Sequence, residues 1–167
     1  MKFKVIKKEA EQLTKNEELI KKVANFIFSG GAINNIDDIV NNLKRIHKLF
    51  LLFDMGEIGE EKLIGVSAIK NPNRNYAARL FKKFNLEYNN EKEVGYVCID
   101  KKYRSNGLGK LMLSIALMNV IEENLSVFLT CDSKNEPIIK INNLYKLPLI
   151  GQYNANNNKV INFYLIT

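Results

Sequence analysis

Residues 93–113, EVGYVCIDKKYRSNGLGKLML, decide the fold, because they predict two regular elements and the turn between them. Residues 93–100 are rich in Val, Ile, Tyr and Cys, which are typical of a strand. From residue 108 onward, apolar residues recur at spacings of three and four, which predicts a helix. Residues 101–107 form a polar, basic connection. The stretch is therefore predicted to be a strand that leads through a basic turn into a helix.

A basic turn at the start of a helix favours a bound anion. The first N–H groups of a helix have no partner within it, and the helix dipole adds partial positive charge there. Gly107 and Gly109 lack a Cβ, which lets a phosphate approach the backbone, and Arg104 and Lys110 add full charges. A phosphate or pyrophosphate site is therefore predicted. The alternative interpretation of Asn106-Gly107 is an ordinary turn without a ligand.

Two other phosphate-binding motifs do not match the spacing. A P-loop needs Ser or Thr directly after its lysine, but Leu111 follows Lys110. The glycine-rich turn of a dinucleotide-binding fold needs a third glycine, and that position holds Met112. Neither of these two classes of nucleotide site is expected.

The whole run from residue 93 to residue 112 resembles the acetyl-coenzyme A motif of the GNAT acetyltransferase superfamily. The superfamily pattern is Arg/Gln-x-x-Gly-x-Gly/Ala, and Arg104, Gly107 and Gly109 match it. The resemblance implies a GNAT-like α/β fold, with a mixed central β-sheet that is splayed at the cofactor site and flanked by helices. It also implies acetyl-coenzyme A (acetyl-CoA) as co-substrate, with its pyrophosphate on the turn, and no metal.

The resemblance further assigns residues to the cofactor. The pantetheine arm is expected to pair with the strand backbone and to contact an Asn near the last helix. The expected cofactor-binding residues are Val97, Cys98, Ile99, Arg104, Ser105, Asn106, Gly107, Leu108, Gly109, Lys110 and Asn135. Core packing is the alternative for Val97 and Ile99, and both roles can hold because backbone atoms bind the arm.

Acetyl transfer to an amine needs a group that takes the ammonium proton and a group that stabilises the leaving thiolate. The resemblance makes Glu93, which opens the central strand, the candidate base, and an ordinary solvated carboxylate is the alternative. Tyr145 is the candidate acid, but the Gly-Phe pair of the superfamily is missing beside it, so a packed aromatic side chain is the alternative.

The function predicted from this resemblance is an N-acetyltransferase in which a primary amine attacks the thioester directly. The alternative is a sensor or scaffold module of the same fold that binds CoA or acyl-CoA without turnover. The acceptor is expected to be a small-molecule or protein amine, and the protein is expected to be a monomer or homodimer.

Composition predicts one globular domain over residues 1–167, since 46% of the residues are hydrophobic and 26% are charged. The formal net charge is +7, but the basic residues are scattered, so no specific nucleic-acid partner is expected. The charged N-terminal stretch does not resemble a signal peptide, and no apolar run is long enough to span a bilayer. Cys98 and Cys131 do not form a disulfide framework. A cytoplasmic protein without a membrane partner is therefore expected.

The remaining pattern predicts a strand, two helices, a strand meander, a helix, a strand, a helix and two final strands. Thr14 is expected to cap the first helix, and the second helix is expected over residues 35–47, with His47 at its end. Residues 70–92 are expected to be an insertion that contains a short amphipathic helix. That insertion is either a flap over the acceptor site or a cover for a sheet edge.

Overall fold

The computed structural model describes residues 2–31, 35–56, 60–155 and 158–167. The strands are β1 (Phe3–Glu9), β2 (Ile46–Asp54), β3 (Lys62–Lys70), β4 (Lys92–Ile99), β5 (Val127–Asp132), β6 (Leu149–Asn154) and β7 (Val160–Ile166). The helices are α1 (Ala10–Thr14), α2 (Glu17–Ser29), α3 (Ile36–Leu43), α4 (Arg74–Lys82), α5 (Leu108–Glu122) and α6 (Glu136–Leu144). A short 3₁₀ turn covers Lys101–Tyr103. None of these helices is both long and apolar enough to cross a membrane.

The seven strands follow the order β1-β2-β3-β4-β5-β7-β6 in one sheet. β1 with β2, β2 with β3, β5 with β7 and β6 with β7 pair antiparallel, whereas β4 and β5 pair parallel. A parallel neighbour needs a crossover connection, and α5 lies in the connection between β4 and β5. The predicted α/β fold, with a mixed central sheet flanked by helices, is confirmed.

The chain contacts form two compact units. Unit 1 comprises residues 1–70 and 95–119, and unit 2 comprises residues 71–94 and 120–167. Strand β4 contributes to both, because it starts in unit 2 and continues in unit 1. In unit 2, Lys92 and Glu93 are the β4 positions that pair with Val127 and Phe128 of β5.

The core of unit 1 is mostly aliphatic. Buried residues recur every one to four positions along one face of α2, as an amphipathic helix requires. They are Ile20, Val23, Ala24 and Ile27. That face packs with α3 and with the interior side of β2 and β3. Helix α5 is tied to β3 by a buried hydrogen bond, in which the Ser67 hydroxyl donates to the Met112 carbonyl at 2.8 Å.

The core of unit 2 is aromatic, and α4 is built into it. The Phe81 ring makes edge-to-face contacts with Phe128 and Phe163, with centroids 5.4 Å and 5.3 Å away. The Phe84 ring is stacked on Phe163 at 4.9 Å. Helix α4 therefore packs on the face of β5 and β7, which are interior strands in the sheet order, and does not merely cover a sheet edge.

Two element boundaries differ from the expected ones. Thr14 is the last residue of α1, and α2 is capped instead by Asn16, whose side chain accepts a hydrogen bond from Leu19 N at 2.9 Å. Helix α3 ends at Leu43, and His47 lies in β2 rather than at a helix end. The apolar spacing over residues 35–47 predicted a helix to residue 47, but the residues from 46 onward form a strand because they pair with β3.

We expect Gly151→Ala to destabilise unit 2 by about 1 to 3 kcal/mol, as overpacking of a core does. An added Cβ would lie 2.7 Å from Cε1 of Phe84, and stacking on Phe163 limits how far that ring can move. Chemical denaturation followed by circular dichroism measures the change. In a Phe84→Leu background, which removes the obstructing ring atoms, the same substitution should have a much smaller effect. An equal loss of stability in both backgrounds would show that the Phe84 contact is not the cause.

Candidate functional site

The turn between β4 and α5 has a backbone shape that L-residues rarely adopt. Ser105 has φ +66° and Gly107 has φ +74°, both in the left-handed region. The first hydrogen bond of α5 runs from Leu111 N to the Gly107 carbonyl at 3.0 Å, so the turn passes directly into the helix. A Cβ on Gly107 would meet no described atom within 4 Å. Glycine suits this backbone angle, and no described protein atom opposes a side chain at this position.

Arg104 ties this turn to the rest of unit 1. Its Nε donates to the Ile99 carbonyl at 3.0 Å, and its Nη2 donates to the Gly30 carbonyl at 3.5 Å. Ile99 ends β4 and Gly30 follows α2, so one guanidinium group connects three segments. The group has five N–H donors, and an anion on the turn can share it with these carbonyls. Arg104 thus has a structural contact that the motif alone did not reveal.

Cys98 lies behind the turn as a packed side chain. A Cβ on Gly30 would collide with the Cys98 sulfur, so the packing of Cys98 requires a glycine at position 30. Burial raises the pKa of the Cys98 thiol, and the nearby Arg104 charge only partly opposes that shift. The thiol is therefore protonated at neutral pH and is a poor nucleophile. The prediction that Cys98 is a small buried side chain is confirmed.

Two polar contacts from distant strands hold the 3₁₀ turn that precedes Arg104. The Tyr103 hydroxyl donates to Asp54 Oδ2 at 2.7 Å, and Lys62 Nζ lies 2.9 Å from Asp100 Oδ2. The hydrogen bond from Tyr103 lowers the pKa of Asp54 and raises the pKa of Tyr103 itself. Sequence reasoning missed Asp54 and Lys62, which lie about 40 to 50 positions away and belong to no local motif. The same residues border a groove of about 1070 Å³ in unit 1 whose described lining includes none of the predicted site residues.

Strand β4 has a local break one residue before the expected cofactor-binding segment. Tyr96 has φ +55°, which a bulky residue adopts only when its surroundings enforce it. The Lys70 ammonium lies 4.4 Å from the centre of the Tyr96 ring, and a Cβ on Gly95 would lie 3.3 Å from that lysine. An angle of this kind bends a strand locally, and here it directly precedes Val97. The one sequence signal for it is the glycine that precedes Tyr96.

In unit 2, the Glu93 carboxylate lies among tyrosines. The Tyr153 and Thr130 side chains and the Glu93 charge all influence the pKa of Tyr76, so these groups lie close together. Burial is the main cause that raises the pKa values of Tyr76, Tyr153 and Tyr88. These phenols therefore stay neutral at physiological pH. Sequence reasoning identified Glu93 but none of the side chains around it, because they come from separate elements.

The other two predicted site residues of unit 2 lie at the two ends of α6. Asn135 is its N-cap, and the Asn135 side-chain oxygen accepts a long hydrogen bond from Ile138 N at 3.5 Å. Tyr145 is its C-cap, and the Tyr145 N–H donates to the Ile141 carbonyl at 3.1 Å. Tyr145 is half-buried and Asn135 is exposed. These positions fit a packed helix end for Tyr145 as well as an active role.

The predicted residues thus fall into two sets. Within unit 1, the end of β4 and the turn are brought into direct contact by Arg104 and Ile99. Unit 2 contains Glu93, Asn135 and Tyr145, of which Glu93 lies in the tyrosine cluster. Among the residues that the structure describes, no three His, Cys, Asp or Glu side chains come together in a way that could hold a metal ion.

Comparison with known proteins identifies solved structures that share this architecture. No protein-family model matches the chain, and no curated protein sequence matches it. The structure of the NatC complex bound to Gag peptide and CoA matches with a TM-score of 0.70 at 13% identity, covering 99% of this chain and 98% of that one. The ribosomal-protein-S18-alanine N-acetyltransferase from Escherichia coli matches with a TM-score of 0.67 at 11% identity, covering 99% and 93%.

A third match is YncA from Salmonella typhimurium, solved with its cofactor acetyl-CoA. It has a TM-score of 0.65 at 11% identity, and the alignment covers 100% of this chain and 94% of that one. Structural matches at identities this low establish only the architecture, and the reaction has to be inferred from the site. The chain has the fold of the GNAT acetyltransferases.

Proposed function

We propose that this protein is a GNAT-superfamily N-acetyltransferase that transfers the acetyl group of acetyl-CoA to a primary amine. The observation that carries the proposal is the turn of residues 104–110, which combines left-handed residues, a helix N-terminus and Arg104. Turns of this kind form concave sets of N–H groups that bind phosphates. The fold shared with a CoA-bound and an acetyl-CoA-bound structure supports the same ligand.

The pyrophosphate of CoA would lie on the turn. The N–H groups of Gly107, Leu108, Gly109 and Lys110 belong to the turn and the first turn of α5, where the helix provides no internal partners. Ser105 and Asn106 would complete the cradle from the preceding residues. The Arg104 guanidinium and the Lys110 ammonium would add the positive charge that a pyrophosphate requires.

The pantetheine arm would pair with the β4 backbone at Val97, Cys98 and Ile99, with Asn135 contacting the arm from α6. The left-handed φ of Tyr96 supports this placement, because a bulge of this kind bends a strand and re-aims its groups. A β4 N–H group aimed in this way could polarise the thioester carbonyl. When bound, acetyl-CoA supplies the activated acetyl group.

The protein side chains would handle the protons. The amine nitrogen attacks the carbonyl carbon, the carbon–sulfur bond breaks, and the thiolate leaves. Glu93 would take the ammonium proton, directly or through water, and Tyr145 is the proposed donor to the thiolate. The protonated Cys98 thiol is a poor competing nucleophile, which favours direct attack by the amine over a thiol-bound intermediate.

Acetyl-CoA turnover against a panel of primary amines tests the function, with release of the CoA thiol as the readout. We expect release to depend on a particular amine. Glu93→Gln, which keeps the shape and removes the charge, should lower turnover at neutral pH by about 100- to 10,000-fold. The loss should shrink as pH rises, because the deprotonated amine then becomes abundant.

Two outcomes would contradict this account in different ways. Wild-type turnover by Glu93→Gln across the whole pH range would show that Glu93 is not the base. Tight CoA binding without thiol release for any amine in the panel would favour the alternative, a sensor or scaffold module that binds CoA without turnover.

Arg104→Glu should weaken CoA binding by about 10- to 100-fold, because a charge-assisted hydrogen bond is lost and a repulsive charge is introduced. Isothermal titration calorimetry measures the affinity. Lys21→Glu, an exposed position on α2, makes the same change in net charge and should have a small effect that fades with salt. Circular dichroism must show that the Arg104 variant is folded, since its contacts to Ile99 and Gly30 are lost. Equal affinities for both variants would rule out the turn as the phosphate site.

A further inference from the structure

Helix α6 has a polar residue at its most buried position. Asn142 is 1% exposed, whereas three isoleucines of the same helix are only half-buried. These isoleucines are Ile138, Ile139 and Ile141. Packing alone favours an aliphatic side chain at the most buried position, because burial of an amide removes it from water. Packing therefore does not explain the asparagine.

The side-chain amide of Asn142 has no hydrogen-bond partner among the residues that the structure describes. Its Nδ2 and Oδ1 atoms are both buried. Asn162, another buried asparagine of unit 2, is satisfied instead. Its oxygen accepts from Gln152 Nε2 at 2.9 Å, and its nitrogen donates to the Tyr164 hydroxyl at 3.5 Å. A buried amide without a partner destabilises a protein, so the Asn142 amide indicates a ligand or an ordered water.

Contacts at both ends of α6 hold Asn142 within the helix. After it, the Leu147 N–H donates to the Asn142 carbonyl at 3.0 Å, and Lys146 has a left-handed φ of +52°, as at many helix ends. At the start of the helix, the Asn135 side chain accepts from Ile138 N. The helix is therefore closed at both ends, and we expect the Asn142 amide to keep its buried position.

Asn142 lies on the same face of α6 as two residues of the predicted site. Asn135 precedes it by seven residues, or about two helical turns, so the two side chains lie on one side of the helix and about 10 Å apart along its axis. Tyr145 follows Asn142 by three residues and is its neighbour on that side. Asn135 is exposed and Tyr145 is half-buried, so solvent reaches this face on both sides of the covered amide.

The two unpartnered atoms of Asn142 define the chemistry of a matching ligand. Nδ2 is a donor and Oδ1 is an acceptor, so a ligand that satisfies both must offer an acceptor and a donor. A phosphate diester offers only acceptors, and an ammonium group offers only donors. A secondary amide offers both, a carbonyl and an N–H group, and the pantetheine arm of CoA contains two secondary amides.

We propose that the Asn142 side chain binds the pantetheine arm of CoA through the amides of the arm. Nδ2 donates to an amide carbonyl, and Oδ1 accepts from an amide N–H. This inference rests on the proposed function and adds a cofactor-binding residue that the sequence motif did not contain. Asn135 and Asn142 together align the arm along α6, which fixes the position of the thioester at its end.

Side-chain amide NMR of the full-length protein tests the proposal without any turnover. The NH₂ signals of Asn142 are assigned through bonds in ¹⁵N,¹³C-labelled wild-type protein. The protein is titrated with CoA and with 3′-phosphoadenosine 5′-diphosphate, a nucleotide that keeps the pyrophosphate of CoA and lacks the arm. We expect CoA to shift the Asn142 NH₂ signals and the nucleotide to leave them in place. Both ligands should shift the backbone amides of residues 107–110.

Asn142→Leu and Asn143→Leu form a matched pair, because the two asparagines are neighbours in α6 and Asn143 is exposed. Leucine has nearly the shape of asparagine and no polar atoms. By calorimetry, Asn142→Leu should weaken CoA binding by about 3- to 30-fold and leave the nucleotide affinity unchanged, because only contacts with the arm are lost. Its melting temperature should not fall, since an unpartnered amide is removed from the interior. Asn143→Leu should leave both affinities unchanged.

The outcomes distinguish this inference from the proposed function. Unmoved Asn142 signals at saturating CoA, equal shifts with both ligands, or an unchanged CoA affinity in folded Asn142→Leu protein would each overturn the inference. A large fall in the melting temperature of Asn142→Leu would also overturn it, because the amide would then have a stabilising partner in the free protein. In each of these cases, shifts of residues 107–110 with CoA would still support the proposed cofactor site. If CoA shifts no signal at all, the proposed function fails as well.

Discussion

The contacts of Arg104 with the Ile99 and Gly30 carbonyls are the interaction on which the candidate cofactor site depends. The turn that follows β4 contains two left-handed residues, Ser105 and Gly107. The conformation costs about 1 to 3 kcal/mol at Ser105, which is not a glycine, and the surrounding contacts must offset that cost. One guanidinium group joins the strand end, the segment after α2 and the turn. We expect this connection to fix the orientation in which the N–H groups at the start of α5 face a phosphate.

The two units are stabilised by different kinds of interaction. Unit 1 holds the turn with polar contacts, Tyr103 to Asp54 and Lys62 to Asp100, above an aliphatic core. Unit 2 instead anchors α4 with packed aromatic rings. Rings with few rotatable bonds lose little conformational entropy when they are ordered, which makes such a cluster a rigid support for polar groups.

Local sequence signals predicted the elements around the turn well. The strand and helix boundaries at β4 and α5 followed from β-branched composition and from apolar spacing, because both signals are contained within a few residues. The end of α3 was missed because strand pairing from β3 outweighs the helical spacing near His47. Pairing partners distant in sequence leave no local pattern.

The same limit applies to the candidate site. The anion-binding character of residues 104–110 could be predicted, since it depends on consecutive residues. The contact of Asp54 with Tyr103 and the association of Tyr76 with Tyr153 could not, since each pair meets only after folding and no spacing rule connects its members. Nor did the sequence reveal the strained Tyr96, because its angle is imposed by surrounding packing.

We infer that the backbone of the turn binds the pyrophosphate of CoA. A titration of ¹⁵N-labelled protein with CoA, followed by amide NMR, tests it most directly, with pantetheine as the comparison ligand that lacks the pyrophosphate. We expect CoA to move the amide signals of Gly107, Leu108, Gly109 and Lys110 more than any others in unit 1, and pantetheine to leave them in place. Saturable CoA binding with those four signals unmoved would contradict it.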